Sequence, residues 1–406
     1  MSERRVRGGQ LAFGATMVFS MAVAAYTNSL LAMLGPLMID DLGISLTEFG
    51  VLSAVIFIVG GLGAPLVGPL VDTFGGRRML TLLFIAGAIA WLLMGWAPTY
   101  AFLLAGAVFA GFARGVSNPI GNQLVATHAA PQQQGLIMGI SKSGAQVGAF
   151  AIGVLVPPLA LAIGWRGVLL ASVLLAVVGL ITTFAVIPPD GTRAQLRARM
   201  GTASISGSRP LVVWLGLNAA LIGMGSSPVI AYVPLFAVDA LDMTVATAGA
   251  VVSTMAACGI AGRILWGRWV DGFATRQRAL VALGLLGSGS MVAMALAPIV
   301  APWLLWVGAV GYATTVGSWI TVGMLTIIRE APLAVAGRVS GLVLACFYVG
   351  LSLGPVAFGA IVDMTASYSL AWTTGAVAYI GSALVALWWG RILRGDQPSP
   401  AAATPC

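Results

Sequence analysis

The feature that most limits what this 406-residue chain can fold into is the recurrence of long apolar stretches. Each is about 20 residues or longer, the length that an α-helix needs to cross the hydrocarbon core of a bilayer. Twelve such stretches lie at 11–35, 48–70, 79–97, 100–124, 135–160, 167–187, 211–236, 245–267, 279–298, 302–327, 335–361 and 370–390. The sequence therefore predicts an all-α membrane protein with twelve transmembrane helices.

The composition excludes several classes of soluble protein. Only 8% of the residues are charged and 59% are hydrophobic, whereas soluble globular proteins carry about 25% charged residues. The net charge of +8 comes from short basic clusters between the apolar stretches, so we expect no nucleic-acid partner. None of Cys258, Cys346 and Cys406 has metal-ligand spacing to another cysteine. We therefore expect no disulfide framework, no metal and no cofactor.

The arginines predict how the chain lies in the membrane, because short cytoplasmic loops carry an excess of basic residues. With the N-terminus inside, sixteen arginines in loops and terminal segments face the cytoplasm and only Arg166 faces outward. The acids that fall on the outer side are Asp40, Asp41, Glu48, Asp239, Asp242 and Asp363. We expect a multi-pass protein of a bacterial-type cytoplasmic (inner) membrane, with both termini in the cytoplasm.

An internal repeat divides the chain into two halves. Gly68 and Asp72 recur as Gly267 and Asp271, 199 residues later. Other pairs share nearly this spacing: Pro36 with Pro234 at 198, and Gly135, Gly139 and Gly148 with Gly337, Gly341 and Gly350 at 202. We infer an N-terminal six-helix bundle (1–187), a cytoplasmic linker (188–210), a C-terminal six-helix bundle (211–394) and a disordered tail (395–406).

The segment between the second and third spans resembles the signature loop of the major facilitator superfamily. It reads Gly68-x-Leu70-x-Asp72-x-x-Gly75-x-Arg77-Arg78, and Gly267 to Asp271 is similar to the second copy of this loop. The resemblance implies two pseudo-symmetric six-helix bundles around a central cavity, which rock between inward-open and outward-open states. It also implies gating roles for Asp72, Arg77, Arg78 and Asp271.

Three cations lie within predicted spans and carry the functional hypothesis. They are Arg114 in the fourth span, Lys142 in the fifth and Arg263 in the eighth. A charge at bilayer depth costs several kcal/mol, so such residues mark functional sites by default. Lys142, the only lysine in the chain, lies about 10 Å inside the membrane at 1.5 Å per residue. The alternative for Lys142 is that its side chain snorkels to the cytoplasmic surface.

The two arginines leave more than one interpretation open. Arg263 resembles the eighth-helix arginine of monocarboxylate and nitrate carriers, and its planar fork matches a carboxylate or nitrate. The alternative is a gate arginine tied to the signature loop. Nitrate carriers have a second arginine where this chain has Ala64, which argues against nitrate. Arg114 is predicted to be a substrate ligand, a proton-relay element or a structural ion-pair partner.

Two absences in the sequence limit the range of possible substrates. Lys142 and Arg263 correspond in the repeat to Leu344 and Ala64, so these charges are not part of a scaffold shared by both halves. No acid lies deep in any predicted span, which disfavours an exporter of cationic drugs. We expect five neutral side chains to line the cavity beside the cations, although each is equally suited to helix packing: Gln146, Tyr26, Asn28, Asn118 and Tyr348. The segment from Gly350 to Pro355 resembles an antiporter motif, and we interpret its glycines as packing residues.

These observations predict a secondary active transporter that moves a small organic anion, most simply a carboxylate, by alternating access. Its partners are the anionic substrate, with a co-transported proton as an open option, and membrane lipids, and we expect a monomer. Two alternatives keep the same fold: a proton-coupled exporter of drugs or metabolites, and uptake of a small inorganic anion such as cyanate or nitrite. A membrane-embedded enzyme is disfavoured, because the sequence contains no nucleophile–base pair or metal cluster.

Overall fold

The computed structural model describes residues 2–128, 134–190, 208–269, 276–331 and 333–395, and every regular element among them is helical. The helices are α1 (Ser2–Leu42), α2 (Leu46–Phe74), α3 (Gly76–Gly95), α4 (Tyr100–His128), α5 (Gln134–Lys142), α6 (Gly144–Val186), α7 (Arg209–Asp239), α8 (Val245–Trp269), α9 (Arg276–Leu296), α10 (Leu304–Thr314), α11 (Trp319–Glu330), α12 (Leu333–Thr365) and α13 (Tyr368–Gly395). The prediction of an all-α membrane protein is confirmed for this part of the chain, in which ten helical segments are long and apolar enough to cross a bilayer.

One of these segments, Ile137–Val186, is 50 residues long. The loop that we expected at 161–166 is absent, because the backbone is helical on both sides of a single interrupting residue. That residue is Gly164, whose φ of 71° and ψ of 168° lie outside the helical region. Glycine adopts positive φ without steric cost because it has no Cβ. A single residue therefore replaces the predicted loop.

The tenth predicted span, 302–327, is present as the membrane-spanning segment Leu304–Ile327, but its helix is interrupted. It consists of α10 and α11, joined by a short 3₁₀ turn at Val316–Ser318. Thr314 Oγ1 donates to Val310 O at 2.8 Å and Thr315 Oγ1 donates to Gly311 O at 2.5 Å. Threonine hydroxyls that bond back to carbonyls one turn earlier compete with the backbone and bend helices. We call this segment, Thr315–Ser318, the α10–α11 break.

In the part of the chain that the structure describes, the helices pack as two groups that meet mainly along three helix pairs. Within the first group α1 packs on α3, α4 and α6, α3 packs on α4 and α6, and α2 packs on α4. Within the second group α7 packs on α12 and α13, and α9 packs on α10 and α13. The pairs that join the groups are α2 with α12, α6 with α8, and α1 with α7. The domain boundaries stay a prediction, since most of the linker (191–207) and of the tail (396–406) lies outside the described residues.

Glycines allow the closest of these helix contacts. A Cβ on Gly350 or Gly354 of α12 would meet the α7 backbone at Ala220 or Met224, and one on Gly223 of α7 would meet Phe347 of α12. Such small residues let membrane helices approach closely enough for their backbones to touch. The interpretation of the Gly350–Pro355 motif as a packing motif is therefore confirmed by its surroundings.

We expect Gly350→Val to destabilise the protein by about 1–3 kcal/mol, because the added side chain must push α12 away from α7. Gly341→Val is the matched control, since nothing lies within 4 Å of its Cβ position on the same helix. Thermal unfolding in detergent, followed by tryptophan fluorescence, should show a lower melting temperature for Gly350→Val alone. Equal melting temperatures for the two variants would contradict the packing argument.

Candidate functional site

Lys142 is the last residue of α5, and its half-buried side chain reaches toward α4. Its Nζ donates a hydrogen bond to Asn118 Oδ1 at 2.5 Å. Two residues that the sequence analysis selected separately are therefore in direct contact. Among the described residues no carboxylate lies within ion-pairing distance of this ammonium. The charge is thus satisfied by a neutral amide.

Arg114 lies one turn before Asn118 on α4 and faces α2. Its guanidinium carbon is 4.8 Å from the centre of the Phe57 ring, close enough for a cation–π interaction. Its Nε is buried and has no hydrogen-bond partner among the described residues. The structural ion pair that we considered for Arg114 is absent from this part of the chain. Arg114, Asn118 and Lys142 therefore form one polar cluster in the first group of helices, which we call the Lys142 cluster.

Helix register places Asn28 at the level of this cluster. A Cβ on Gly121 of α4 would lie 3.2 Å from Met21 Cε of α1. The two helices run antiparallel, so seven residues further along α1 and seven residues back along α4 bring Asn28 opposite Arg114. Asn28 is only 3% exposed, and its Oδ1 has no described partner. The Asn28 Oδ1 acceptor and the Arg114 Nε donor, both buried and without a described partner, thus lie at the same depth.

The other neutral candidates occupy different positions. Gln146 follows Gly144, which packs on α1 at Val18, and its buried Oε1 has no described partner. Tyr26 is engaged in packing, because its hydroxyl bonds Ser172 at 3.1 Å and its ring meets Trp91 edge-on at 5.3 Å. The structure therefore brings Gln146 near the Lys142 cluster and directs Tyr26 away from it.

Tyr348 of α12 lies on the opposite side of α2 from Arg114. Its Cβ and Cγ are the atoms that a side chain on Gly61 would meet, whereas the preceding Gly60 faces Arg114, with its Cβ position 3.6 Å from Arg114 Cδ. Two consecutive glycines of α2 thus separate a cation of one group from an aromatic ring of the other. Tyr348 is level with the cluster but is not in contact with it.

Arg263 of α8 is held by the α10–α11 break, which the sequence analysis missed. Its Nε donates to Gly317 O at 3.4 Å, and one turn further along α8 Trp266 Nε1 donates to Thr314 O at 2.9 Å. No other hydrogen bond or ion pair of Arg263 exists within the described residues, so both of its terminal amino groups are unpaired. A Gly–Ser pair preceded by two threonines was the only signal in the sequence for this break.

The α6–α8 contact relates the depth of Arg263 to that of Lys142. These antiparallel helices meet where Gly153 faces Gly249. Lys142 lies 11 residues before Gly153 (153 − 142) and Arg263 lies 14 residues after Gly249 (263 − 249). At 1.5 Å per residue these distances are about 16 and about 21 Å along the helices, in the same direction. The two cations therefore lie at similar depth in opposite groups, without a direct contact between them in the described structure.

The residues with predicted gating roles are only partly within the described structure. The backbone N–H groups of Arg77 and Arg78, at the start of α3, donate to the carboxylate of Asp190 at 2.9 and 3.1 Å. Arg77 also donates from Nη2 to Phe184 O at 3.2 Å. The Asp72 side chain and all of Asp271 lie outside the described residues.

Asp190 is a functional candidate that the sequence analysis did not select, although it is the only acid in the basic interval after the sixth predicted span. Gly75 has a φ of 90°, and a Cβ there would clash with the Asp190 carboxyl group. The lack of a Cβ at Gly75 therefore leaves room for the Asp190 carboxylate.

Comparisons with known proteins identify the fold and a set of relatives. Residues 17–355 match the sequence profile described as Major Facilitator Superfamily. The chain is 26% identical over 368 residues to "Probable nitrate/nitrite transporter NarK2" of Mycobacterium tuberculosis (strain ATCC 25618 / H37Rv), covering 87% of this chain and 90% of the relative. It is 25% identical over 398 residues to "Uncharacterized MFS-type transporter YtbD" of Bacillus subtilis (strain 168), covering 93% and 95%.

Two solved structures share the fold at low sequence identity. One is an inward-facing and occupied bacterial homolog to the human lysosomal transporter Spinster, with a TM-score of 0.76 at 16% identity over 96% of this chain and 98% of that one. The other is a D-xylose-proton symporter, with a TM-score of 0.76 at 15% identity over 93% and 97%. At these identities the likeness concerns the fold alone.

We expect a water-soluble amine reagent to modify Lys142 more slowly than the N-terminal amino group, because Lys142 is half-buried and bonded to Asn118. Asn118→Leu removes the acceptor and should raise the rate of modification. Peptide mapping is unambiguous here, since the chain contains no other lysine. Complete protection of Lys142 in both proteins would show that its ammonium does not reach an aqueous cavity.

Proposed function

We propose, since the chain belongs to the major facilitator superfamily, that it is a secondary active transporter of a small organic anion across the cytoplasmic membrane. A carboxylate is the substrate class that we favour. The single observation that carries the proposal is the set of membrane-embedded cations, Lys142, Arg114 and Arg263, none of which has an ion-pair partner among the described residues. The nitrate/nitrite relative supports an anionic substrate at the level of charge.

A cation without a counter-charge is costly inside a membrane protein. A lysine or arginine at the centre of a membrane helix costs about 3 kcal/mol on insertion scales, and an unpaired charge in a closed protein interior costs several. An anion that binds between the two groups neutralises part of this charge. The occluded state therefore becomes less costly when the site is occupied, which is the differential free energy that shifts a population between two states.

The geometry of Arg263 suits a planar anion. Its Nε is tethered to the Gly317 carbonyl, which fixes the plane of the guanidinium and leaves the terminal amino groups unpaired. Two parallel N–H groups match the two oxygens of a carboxylate, and Arg–carboxylate pairs of this kind are strong and directional. Lys142 contributes a point charge at similar depth from the opposite group of helices. We propose that the anion bridges these two residues, with Gln146, Asn28 and Tyr348 at the margin of the site.

The number of spans, the orientation in the membrane and the oligomeric state are part of the same proposal. The 50-residue segment Ile137–Val186 is about 75 Å long at 1.5 Å per residue, more than twice the thickness of the hydrocarbon core. Dividing it at Gly164 and adding the 29-residue α2 raises ten spans to twelve. We propose six spans in each bundle, a cytoplasmic linker at 188–210, both termini in the cytoplasm and a functional monomer, with a proton as the simplest co-transported ion.

A small inorganic oxyanion is the second candidate substrate. The relative named as a probable nitrate/nitrite transporter matches 87% of this chain, and nitrate is planar like a carboxylate. Against it stands Ala64, at the position where the resemblance to nitrate carriers implies a second arginine. Direct competition between monocarboxylates and nitrate or nitrite separates the two candidates.

A thermal-shift screen of the purified protein tests the proposal. Acetate, lactate, pyruvate, succinate, benzoate, nitrate and nitrite are the probes, and we expect the best carboxylate to raise the melting temperature. Lys142→Gln and Arg263→Gln should each reduce apparent affinity at least tenfold, because each removes a charge-assisted contact. Arg166→Gln is the control, since Arg166 pairs with Asp41 and is exposed. Stabilisation that persists unchanged in both site variants would reject the site.

A substitution that supplies an internal counter-charge gives an independent test. Asn118→Asp places a carboxylate where Lys142 now finds an amide oxygen. We expect this variant to fold and to lose most of its anion affinity, because the resident carboxylate competes with the substrate for the ammonium. Asn118→Leu removes the same hydrogen bond without adding charge and should still bind the anion. Equal anion affinity in Asn118→Asp and the unmodified protein would contradict the electrostatic mechanism.

A further inference from the structure

A carboxylate of one group of helices lies on the first turn of a helix of the other group. Asp363, in the last turn of α12, accepts hydrogen bonds from the backbone N–H groups of Leu46 at 3.1 Å and Thr47 at 2.8 Å. It also accepts from Thr47 Oγ1 at 2.5 Å. Three hydrogen bonds therefore join α12 to the start of α2 at the end of the molecule where α2 begins, which we call the Glu48 end.

The start of α2 depends on Asp363 for half of its exposed donors. A helix begins with N–H groups that have no partner within the helix. Ser45 and Glu48 satisfy two of them reciprocally in a capping box, with Ser45 N donating to Glu48 Oε2 at 2.8 Å and Glu48 N donating to Ser45 Oγ at 3.1 Å. The remaining two, from Leu46 and Thr47, donate to Asp363. Because the N-terminus of a helix carries partial positive charge, a carboxylate stabilises it more than a neutral acceptor does.

A second contact crosses the same junction. The Tyr232 hydroxyl of α7 lies 2.6 Å from Leu46 O of α2 and 3.0 Å from Pro355 O of α12, so its one hydrogen is shared between the two groups. Gly50 and Gly359 make this approach possible, because a Cβ on either would meet the Tyr232 hydroxyl. These contacts hold α2, α7 and α12 together at the Glu48 end.

Three other acids described at this end bond within their own group. Asp41 of α1 pairs with Arg166 of α6, and Glu48 accepts from Ser45 at the same helix start. Asp239 of α7 accepts from the Tyr368 hydroxyl of α13 at 2.8 Å. Asp363 differs from these three because its partners lie on the opposite group.

We propose that Asp363 and the first turn of α2 form a charge-dependent latch that keeps the Glu48 end closed, and that release of this latch accompanies opening of that end. The inference rests on the alternating access of the proposed function. When the two groups separate at this end, Leu46 and Thr47 lose their acceptor and must bond to water. Removing the negative charge weakens the closed state while leaving the open state unaffected, so the equilibrium shifts toward opening.

Distance measurement across the Glu48 end tests the latch. Spin labels at Thr99→Cys and Val300→Cys occupy exposed turns of the two groups, between α3 and α4 and between α9 and α10. Cys258, Cys346 and Cys406 are replaced by alanine in this background. In lipid nanodiscs we expect Asp363→Asn to raise the ratio of long to short distances about tenfold, the factor expected for one charge-assisted hydrogen bond.

Asp239→Asn is the matched control, because it removes an acid at the same end that bonds within its own group. We expect the distance distribution of this control to equal that of the unmodified background. Thr47→Val, which removes only the hydroxyl contact, should shift the ratio by a smaller factor and keeps the test valid if Asp363→Asn does not fold. The latch is overturned if the distance distributions of Asp363→Asn and Thr47→Val both equal that of the background. It is also overturned if Asp239→Asn shifts the distribution as much as Asp363→Asn does.

The same labels separate failure of the latch from failure of the proposed function. Addition of acetate, lactate and nitrate to the labelled background should change the ratio of distances if the chain carries an anion by alternating access. No response to any anion, together with a shift in Asp363→Asn, would sustain the latch and count against the anion transporter. A response to an anion without any effect of Asp363→Asn would support the anion transporter and count against the latch.

Discussion

The constraint on which this structure depends is the cost of placing a positive charge in hydrocarbon without a negative partner. Each of the three cations offsets part of this cost through a neutral contact. Lys142 contacts an amide oxygen, Arg114 an aromatic face and Arg263 a backbone carbonyl. Such contacts keep a cation in place but compensate its charge incompletely. In the proposed function, three cations in this state favour the binding of an anion, and this electrostatic requirement links the helix packing to transport.

The contacts between the two groups of helices share a common chemistry. Along α2 and α12, glycines remove the side chains that would keep the backbones apart, and polar groups then bond across the gap. Gly50 and Gly359 flank the Tyr232 hydroxyl in this way, and Gly153 faces Gly249 on α6 and α8. Small residues let membrane helices approach closely, and side chains such as Phe49 and Tyr232 pack edge-on across the same junction at 5.6 Å. Small residues thus allow the two groups to pack closely.

The sequence was sufficient for the features that depend on composition and periodicity. Apolar runs predicted the membrane helices, and the rarity of buried charge singled out the three cations. It was insufficient where one residue or a side-chain contact decides the geometry. Gly164 replaces a whole loop, the α10–α11 break follows from threonine hydroxyls, and Asp190 and Asp363 act on helix starts that are distant in sequence. Long-range hydrogen bonds of this kind leave no periodic trace, whereas the pairing of Lys142 with Asn118 joins two residues already recognised by their polarity.

The shared hydrogen of the Tyr232 hydroxyl has a consequence for opening of the Glu48 end. Its hydroxyl already lies within bonding distance of a carbonyl on either helix. When α2 moves off, the hydrogen can settle fully on Pro355 O, so no donor is stranded on the departing surface. The Tyr232 hydroxyl therefore keeps an acceptor within its own group of helices, and only its bond to the Leu46 carbonyl is lost.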